Sequence, residues 1–432
     1  MSDKSLLIRD AQQILNALNA GEELALVDAR EEVPFASGHP LFAVNISVSK
    51  LDIEILNRIP QLSTPLTVYD NGEGLARVAA ERLREIGYAD VALLAGGLAG
   101  WVEAGGELFS GVNSPANGFA SLVASQTVPP LLGVAQLTQQ LEGEESGARL
   151  SAVAARTLAD RAGVQRLTLG QLREWQQHER TLYLFDVRAL AAYQQGHLPG
   201  SRSVPAAQLV KETDQFASVQ NARIVLADES DGVHAAVAAS WLAQQGWQVA
   251  VLEGLQAADF SVTGGWSPKV PPLDAQPQVT PAELTTRLQD GQTQVLDFTT
   301  SANYVNAHIP GAAWLQRSAL TTAGADALPA AERYVVTCGS SLLAAYSAEQ
   351  LRLLTGKEVQ VLSGGNTAWK AAGLPVEQGE TRLLLPRIDR FIRPEERQNL
   401  STAEIAQQDA WRQGLPAQLA RDGSHRFKVL AA

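Results

Sequence analysis

The only cysteine of this chain, Cys338, is the residue whose chemistry and position most directly suggest a reaction. It follows an apolar run and precedes small residues and a helical pattern in "YVVTCGSSLLAAYSAEQL" (334–351). A free thiol within a core is usually an inert packing residue. At the start of a helix, however, unpaired backbone N–H groups and the helix dipole favour the thiolate, which is a nucleophile. The residue types alone leave both interpretations open.

Two predicted elements position this thiol. The segment "ERYVVT" (332–337) is typical of a buried strand, and "LLAAYSAEQLRLLTG" (342–356) of a helix that ends at Gly356. The loop between them therefore lies at the carboxyl end of a strand, where ligands bind in parallel α/β sheets.

The loop itself has the composition of an anion cradle. Gly339, Ser340 and Ser341 are small enough to let successive backbone N–H groups converge on one centre beside the helix start. We expect such a cradle to lower the pKa of Cys338 and to hold a negatively charged sulfur without a histidine base.

Three motifs recur in the same order along the chain, which indicates three copies of one unit. They are a strand that ends in Asp, a His–Pro turn, and a strand, loop and Ala-rich helix. The Asp-ended strand occurs as "ALVDAR" (25–30), "YLFDVR" (183–188) and "QVLDFT" (294–299). The distance from the turn histidine to the residue at the cysteine position is nearly constant: 31 residues from His39 to Asp70, 31 from His197 to Asp228 and 30 from His308 to Cys338.

Short strands alternate with helical stretches within each copy, which predicts crossover connections. The predicted fold class is α/β, with three tandem units, each a mainly parallel sheet with helices on both faces. The predicted divisions are unit 1 at 1–112, a bridge at 113–164, unit 2 at 165–272, unit 3 at 273–376 and a C-terminal appendage at 377–432.

The bridge and the appendage depart from the repeat. The spacing between the first two copies exceeds that between the last two by 48 residues, and "TVPPLLGVAQLTQQLEG" (127–143) is typical of a strand start and a short helix. The bridge is either a folded linker or the remnant of a lost unit, and we favour the remnant. In the appendage, Ser401 and Glu404 form a capping box, so we expect a helix that breaks near 414–416, a final strand at 425–430, and packing on unit 3.

The motifs resemble the rhodanese-like sulfurtransferase family in its multi-domain form. The resemblance rests on the Asp-ended strand, "HIPGA" (308–312), "CGSSLLA" (338–344) and "SGGNTAWKAAG" (363–373). It implies that Cys338 accepts a sulfane sulfur from thiosulfate or 3-mercaptopyruvate, becomes a persulfide and passes the sulfur to a nucleophilic acceptor, which is a thiol or a cyanide-like group. The implied substrate-binding residues are those of the loop: Gly339, Ser340, Ser341, Leu342, Leu343 and Ala344.

The match to the family has departures. The loop "CGSSLLA" (338–344) is more similar to the Cys-Gly-Ser-Gly loops of mercaptopyruvate sulfurtransferases than to the Arg- or Lys-bearing loops of thiosulfate enzymes, which favours an organic thiol donor. Because the loop carries no cation, Arg317 is a candidate partner for an anionic donor. Arg333 is a less suitable candidate, because it is at the start of the strand whose other end carries the loop. Two residues after the strand-ending Asp, unit 3 has Thr299 where the other two units have an arginine. We therefore expect the polar contacts beneath the loop to differ between the units.

Units 1 and 2 have Asp70 and Asp228 in place of the thiol. A carboxylate cannot carry sulfur, and the nearby Glu73, Glu229 and Asp231 would repel an anionic donor. We expect both units to be inactive and to serve in packing, in shielding the third loop or in docking a protein partner at the acidic loops. Two functions therefore stay open: a sulfurtransferase, which we predict, and a non-catalytic scaffold or regulatory binding module. A redox-sensing thiol is a lesser variant.

The histidines give no sign of catalysis or of a metal site. Three of them recur in the turns of all units, with or without a thiol, and are therefore predicted to be turn and packing residues: His39, His197 and His308. The others, His178, His234 and His425, lack metal-ligand spacing, so we expect neither metal nor cofactor.

Composition narrows the class of protein. A hydrophobic content of 45% with 19% charged residues is ordinary for a globular chain. The net charge of −12, without a basic cluster, argues against a nucleic-acid partner. The N-terminal sequence lacks signal-peptide features and no stretch reaches the ~18 apolar residues of a membrane span. With one cysteine and no possible intrachain disulfide, we expect a soluble cytoplasmic protein.

Overall fold

The computed structural model describes residues 6–126, 152–229 and 231–430, and these contain three five-stranded parallel sheets. With the five strands of each sheet counted along the chain, the order across every sheet is first, fifth, fourth, second, third, so the same topology occurs three times. The predicted α/β fold class, with three tandem units, is confirmed. The strands are β1 (Leu7–Arg9), β2 (Ala25–Asp28), β3 (Ala43–Asn45), β4 (Leu66–Tyr69), β5 (Val91–Leu94), β6 (Gln165–Leu167), β7 (Leu182–Asp186), β8 (Arg202–Ser203), β9 (Arg223–Ala227), β10 (Gln248–Leu252), β11 (Gln278–Val279), β12 (Thr293–Asp297), β13 (Ala313–Trp314), β14 (Arg333–Thr337) and β15 (Glu358–Leu362).

Helices connect the strands. The α-helices around the first sheet are Ala11–Ala20, Glu32–Ser37, Leu51–Arg58, Leu75–Ile86 and Gly97–Glu103. Those around the second are Ala152–Arg161, Leu169–Gln176, Leu190–Gln195, Ala206–Lys211, Thr213–Phe216 and Val233–Gln244. Those around the third are Pro281–Arg287, Ser301–Asn306, Ala319–Thr322, Leu342–Thr355 and Gly365–Ala371, and two further helices are Ser114–Gln126 and Thr402–Asp422.

The third sheet places the cysteine at its centre. Strand β14 pairs with β12 on one side and with β15 on the other, and four of its five residues are buried because the run is apolar. Cys338 follows β14 directly, at its carboxyl end. In parallel α/β sheets, ligands bind at the carboxyl ends of the strands, at the point where the connections from two adjacent strands go to opposite faces of the sheet.

The helix after the loop matches its predicted bounds. It runs from Leu342 to Thr355 and ends at Gly356, whose φ of 67° is in the left-handed region. Ser341 precedes it with φ of 72°, where the other two units have Gly74 and Gly232. A non-glycine residue in this conformation is strained, which indicates that the surrounding structure fixes the loop.

Units 1 and 2 share one hydrophobic core, whereas unit 3 has separate clusters on the two faces of its sheet. Unit 3 contacts unit 1 through polar side chains. The Ser318 hydroxyl donates to Glu31 at 2.8 Å, and Arg317 pairs with Asp52 at 2.5 Å. This contact brings the first sheet's loops to the cysteine loop.

The appendage differs from the prediction in three ways. The helix does not break near 414–416: it continues through Pro416 from Thr402 to Asp422. Proline removes one helical hydrogen bond, and burial of Leu415 and Leu419 offsets that loss.

The helix packs on the helix Ser114–Gln126 of the bridge and on unit 1, where Leu415 and Leu419 meet Phe109 and Leu41, and not on unit 3. The first part of the appendage does pack on unit 3 as predicted, since Leu383 joins the cluster around Trp314 and the Ser301 amide donates to Asp389. The residues at 425–430 are not a strand. They lie irregularly along the second unit, where the Lys428 amide donates to a carbonyl of the helix Val233–Gln244.

Part of the bridge is helical, at Ser114–Gln126 and Ala152–Arg161. The predicted strand start and helix at 127–143 lie outside the described residues. Within the parts of the chain that are described, no helix is both long enough and apolar enough to cross a membrane.

Candidate active site

The thiol of Cys338 lies against the start of the following helix. Its side chain is 4% exposed, and the Ala344 amide donates to Sγ at 3.4 Å. The amides of Ser340 and Leu343 also lower the pKa of the thiol, as predicted for a cradle. Burial is the larger effect, however, and it raises the pKa of Cys338 above its ordinary value. The prediction of a lowered pKa is therefore wrong in direction, because the sequence shows the cradle but not the depth of burial.

The same cradle holds a carboxylate in each of the other units. Asp70 Oδ2 accepts from the Ala76 amide at 2.9 Å, six residues on, as the thiol accepts from Ala344. Asp228 Oδ2 accepts from the Ala235 amide at 2.9 Å. The loop thus binds a negatively charged group in two units. Asp70 and Asp228 point inward, whereas Glu73, Glu229 and Asp231 on the same loops are exposed, so docking of a protein partner at these loops stays a prediction.

The polar contacts of the strand-ending aspartate, which lie beneath the loop, differ between units, as Thr299 led us to expect. In units 1 and 2 the strand-ending aspartate pairs with an arginine two residues later, at 2.6 Å in both. In unit 3 Asp297 instead accepts from the Thr299 amide and from Asn366 Nδ2, each at 2.8 Å. Burial raises the pKa of Asp297 to about 6. Asn366 also accepts from the Thr337 hydroxyl, which ties β12, β14 and the following turn together.

The turn at Gly365 clamps the loop from the other side. The Asn366 amide donates to the Cys338 carbonyl at 2.8 Å, and the Thr367 amide and hydroxyl donate to the Gly339 carbonyl at 3.1 and 2.8 Å. A Cβ atom on Gly365 would lie 2.3 Å from the Cys338 oxygen. This position therefore requires glycine both for its φ of 59° and for space.

A cavity of about 220 Å³ opens beside the thiol, at the contact between unit 3, unit 1 and the appendage. The loop contributes Gly339, Ser340, Leu342 and Leu343, whereas Ser341 and Ala344, which were also predicted to bind substrate, do not line the cavity. The other lining residues come from three regions: Glu31, Ser49, Lys50 and Ile53 of unit 1, Phe298, Thr299, Thr300, Trp314, Gln316 and Arg317 of unit 3, and Asp389 of the appendage.

The sequence predicted only some of the residues that line this cavity. Arg317, named as a candidate cation, does line the cavity, while Arg333 pairs with Asp290 at the opposite end of its strand. Lys50 was missed because it lies in a unit without a thiol, far from Cys338 in sequence. Only a prediction of how the units pack would have found it.

The turn histidines have structural positions. Each ring lies 3.8 Å from the aromatic ring four residues earlier, and each Nδ1 bonds to the carbonyl of that residue. Burial lowers the pKa of His39 to about 4. No group of three or more His, Cys, Asp or Glu side chains arranged for a metal occurs in the described ranges.

Comparisons with known proteins agree with this geometry. The model of the rhodanese-like domain matches residues 10–104, 168–255 and 280–372. The chain is similar to the crystal structure of a thiosulfate sulfurtransferase from Pseudomonas aeruginosa, with 42% identity, a TM-score of 0.92, and coverage of 99% of this chain and 100% of that one.

Two shorter structures also match. A rhodanese-related protein from Thermoplasma volcanium has 23% identity, a TM-score of 0.22, and coverage of 23% of this chain and 97% of that one. The Alr3790 protein from Anabaena sp. has 26% identity, a TM-score of 0.22, and coverage of 23% and 80%. No curated protein matches the chain.

The family model matches three times, at the positions of the three sheets, and the full-length similarity supports an enzyme of the sulfurtransferase type. The chain therefore belongs to the rhodanese-like domain family, as a rhodanese-type sulfurtransferase with three tandem domains.

Proposed function

We propose that unit 3 transfers a sulfane sulfur from a small anionic donor, thiosulfate or 3-mercaptopyruvate, to a nucleophilic acceptor through a persulfide on Cys338. The observation that carries this proposal is the position of the thiol: it occupies an N–H cradle at the carboxyl end of the central strand and borders a cavity. Two aspartates in equivalent cradles support the cradle's capacity for negative charge.

The reaction has two displacements. The Cys338 thiol first loses its proton to water, and the thiolate attacks the outer sulfur of thiosulfate. The S–S bond of the donor breaks and sulfite leaves with the electron pair. With 3-mercaptopyruvate the C–S bond breaks instead, and the pyruvate enolate takes a proton. The acceptor then attacks the outer sulfur of the persulfide, and the Cys338 thiolate leaves.

The loop amides of Ser340, Leu343 and Ala344 are the groups that would stabilise the negative outer sulfur, because backbone N–H groups at a helix start favour an anion. The cavity of about 220 Å³ has room for a small molecule. Lys50 and Arg317 are the two cations of its wall and would attract the donor's negative end.

The first two units would have no transfer activity, since a carboxylate fills each cradle. Unit 1 instead contributes to the wall of the third site through Glu31, Ser49, Lys50 and Ile53. We propose that this shielding is the role of the first unit.

Steady-state transfer to cyanide tests the function. Thiocyanate formation is measured with thiosulfate and, separately, with 3-mercaptopyruvate, for the wild-type chain and for Cys338→Ala. We expect turnover with at least one donor and none in the variant, and the ratio of kcat/KM identifies the donor class. Turnover that survives in Cys338→Ala would refute the role of this thiol, and no turnover with either donor in a folded protein would refute the proposed reaction.

A further inference from the structure

Asp297, the strand-ending aspartate of unit 3, is a buried carboxylate without a cationic partner. It is 0% exposed and forms no ion pair within 4 Å in the described ranges. The equivalent aspartates of units 1 and 2 pair with Arg30 and Arg188, each at 2.6 Å. Because Thr299 takes the place of these arginines, only unit 3 of the three leaves this buried charge uncompensated.

Two uncharged groups hold the carboxylate instead. The Thr299 amide donates to Oδ1 and Asn366 Nδ2 donates to Oδ2, both at 2.8 Å. The Asn366 amide also donates to the carbonyl of Cys338. In unit 1 Leu98 has this position, and its amide donates to the carbonyl of Asp70. An asparagine side chain has thus replaced a leucine where an arginine was lost, and it fixes the carboxylate without neutralising it.

The neighbours of Asp297 on the adjacent strands are uncharged. Its register partners are Trp314 of β13 and Thr337 of β14. Burial raises the pKa of the carboxyl to about 6, although its two hydrogen bonds and Lys370, an exposed residue of the helix after the clamping turn, act in the opposite direction. On the helix after β12, burial and the charge of Asp297 raise the pKa of Tyr304 to about 12. At neutral pH the carboxyl is therefore mostly ionised and the phenol is neutral.

The charge of Asp297 lies beneath the thiol. Cys338 directly follows Thr337, the register partner of Asp297. Burial is the main cause of the raised pKa of Cys338, and the Asp297 charge acts in the same direction, against the loop amides. A negative charge disfavours the ionised form of a nearby acid, so the carboxylate opposes formation of the thiolate.

We propose that Asp297 is a positioning residue that acts on the reaction through Cys338, and that its uncompensated charge keeps the thiol protonated while no donor is bound. This inference deepens the proposed function and rests on it. A protonated thiol is a weak nucleophile, so Cys338 resists alkylation and oxidation between turnovers. The presence of Thr299 in place of arginine produces this restraint, because an arginine there would neutralise the carboxylate.

Two variants remove the charge in different ways. Asp297→Asn makes the side chain neutral, whereas Thr299→Arg supplies the partner that the other two units have. The Thr299 amide donates to the aspartate two residues earlier, as the amides of Arg30 and Arg188 do. The backbone is therefore placed for the same ion pair. Far-UV circular dichroism verifies that each variant is folded.

The measurement is the pH dependence of Cys338 alkylation by iodoacetamide, followed by intact mass. We expect the midpoint of both variants to lie about 1 pH unit below that of the wild type. At pH 8 the alkylation rate should rise about threefold, since a tenfold larger thiolate fraction is partly offset by lower nucleophilicity. Arg188→Thr, the reverse change in unit 2, is the matched control and should leave the midpoint unchanged.

An unchanged midpoint in both variants would overturn the proposal. A shift in Asp297→Asn alone would assign the effect to a loosened turn, and a shift in Thr299→Arg alone would assign it to the arginine's own charge; either result would also overturn it. A shift in both variants, together with no added sulfur on the wild-type chain after incubation with thiosulfate or 3-mercaptopyruvate, would support the restraint while refuting the proposed transfer. The two claims are therefore separable.

Discussion

At the scale of the residue, the chemistry depends on two opposing effects on Cys338. Three backbone amides of the helix start favour the thiolate, and burial of the side chain disfavours it. Burial is the larger of the two, so in the free protein the thiol is protonated at neutral pH. In the proposed reaction the cradle would act chiefly on the charged sulfur that forms on Cys338, and stabilisation at that stage accelerates catalysis.

The raised pKa of Cys338 predicts how its reactivity depends on pH. The rate of alkylation by iodoacetamide should still be rising above pH 9, because the reactive thiolate forms only as pH passes a pKa that lies above the ordinary value of 9.0. Mass spectrometry of the carbamidomethylated chain at a series of pH values measures this rate. A plateau reached below pH 8 would contradict the effect of burial.

Asp297 gives a prediction for stability. Its pKa is about 6 in the folded chain against 3.8 for an ordinary aspartate, so the unfolded state loses the proton first as pH rises. The free energy of unfolding of the wild type should therefore fall, relative to Asp297→Asn, by about 2 kcal/mol between pH 3.8 and 6. Urea denaturation at stepped pH measures both curves, and parallel curves would refute the shifted pKa.

At the scale of the element, the cysteine loop is held between a helix start and a second turn. The helix Leu342–Thr355 supplies the amide of Ala344, and the turn at Gly365 bonds the carbonyls of Cys338 and Gly339. The equivalent turn glycine of unit 1, Gly97, is also crowded, though less so: a Cβ there would lie 2.9 Å from the carbonyl oxygen of Asp70, the residue at the cysteine position. The two turns thus fix the direction of the N–H groups, independently of which residue occupies the cradle.

Substitution of the turn glycine should disable the site with little effect on the rest of the fold. In Gly365→Ala the new methyl group would displace the loop, so we expect kcat/KM for thiocyanate formation to fall by about 100-fold or more. Gly373→Ala is the matched control, since Gly373 also has a positive φ, 68°, but no atom within 4 Å of its Cβ position. Equal losses in both variants would indicate backbone strain alone and contradict the role of the clamp.

At the scale of the whole molecule, two units without a thiol complete the third. Units 1 and 2 form one continuous core, and the surface of unit 1 closes the cavity beside Cys338. Asp52 is central to this contact because it is 1% exposed and binds both Arg82 of its own unit and Arg317 of unit 3. Retention of the first unit, which has no thiol, then has a physical reason, since the cavity beside Cys338 is incomplete without it.

Removal of the Asp52 carboxylate should weaken the contact between units 1 and 3. In Asp52→Ala two arginines lose their shared partner, and because both are partly exposed we expect a loss of about 2 kcal/mol in unfolding free energy. Asp409→Ala, whose ion pair is on the surface, should change it by less than about 0.5 kcal/mol. Differential scanning calorimetry compares the two, and equal stability of both variants would refute the importance of this contact.

Much of this architecture was predictable from the sequence. Repeat spacing identified the three units, the equivalence of Asp70, Asp228 and Cys338, and the strand and helix on either side of the thiol. These features depend on local patterns. The cavity wall from unit 1, the packing of the final helix and the raised pKa of Cys338 depend on how distant segments bury one another, and no spacing encodes that.

The central claim, a persulfide on Cys338, is tested most directly by the intact mass of the chain after incubation with thiosulfate or 3-mercaptopyruvate. The account predicts an added mass of about 32 Da, one sulfur atom, that is absent in Cys338→Ala and disappears when cyanide or a thiol acceptor is added. An unchanged mass with both donors, in a chain shown to be folded, would contradict it.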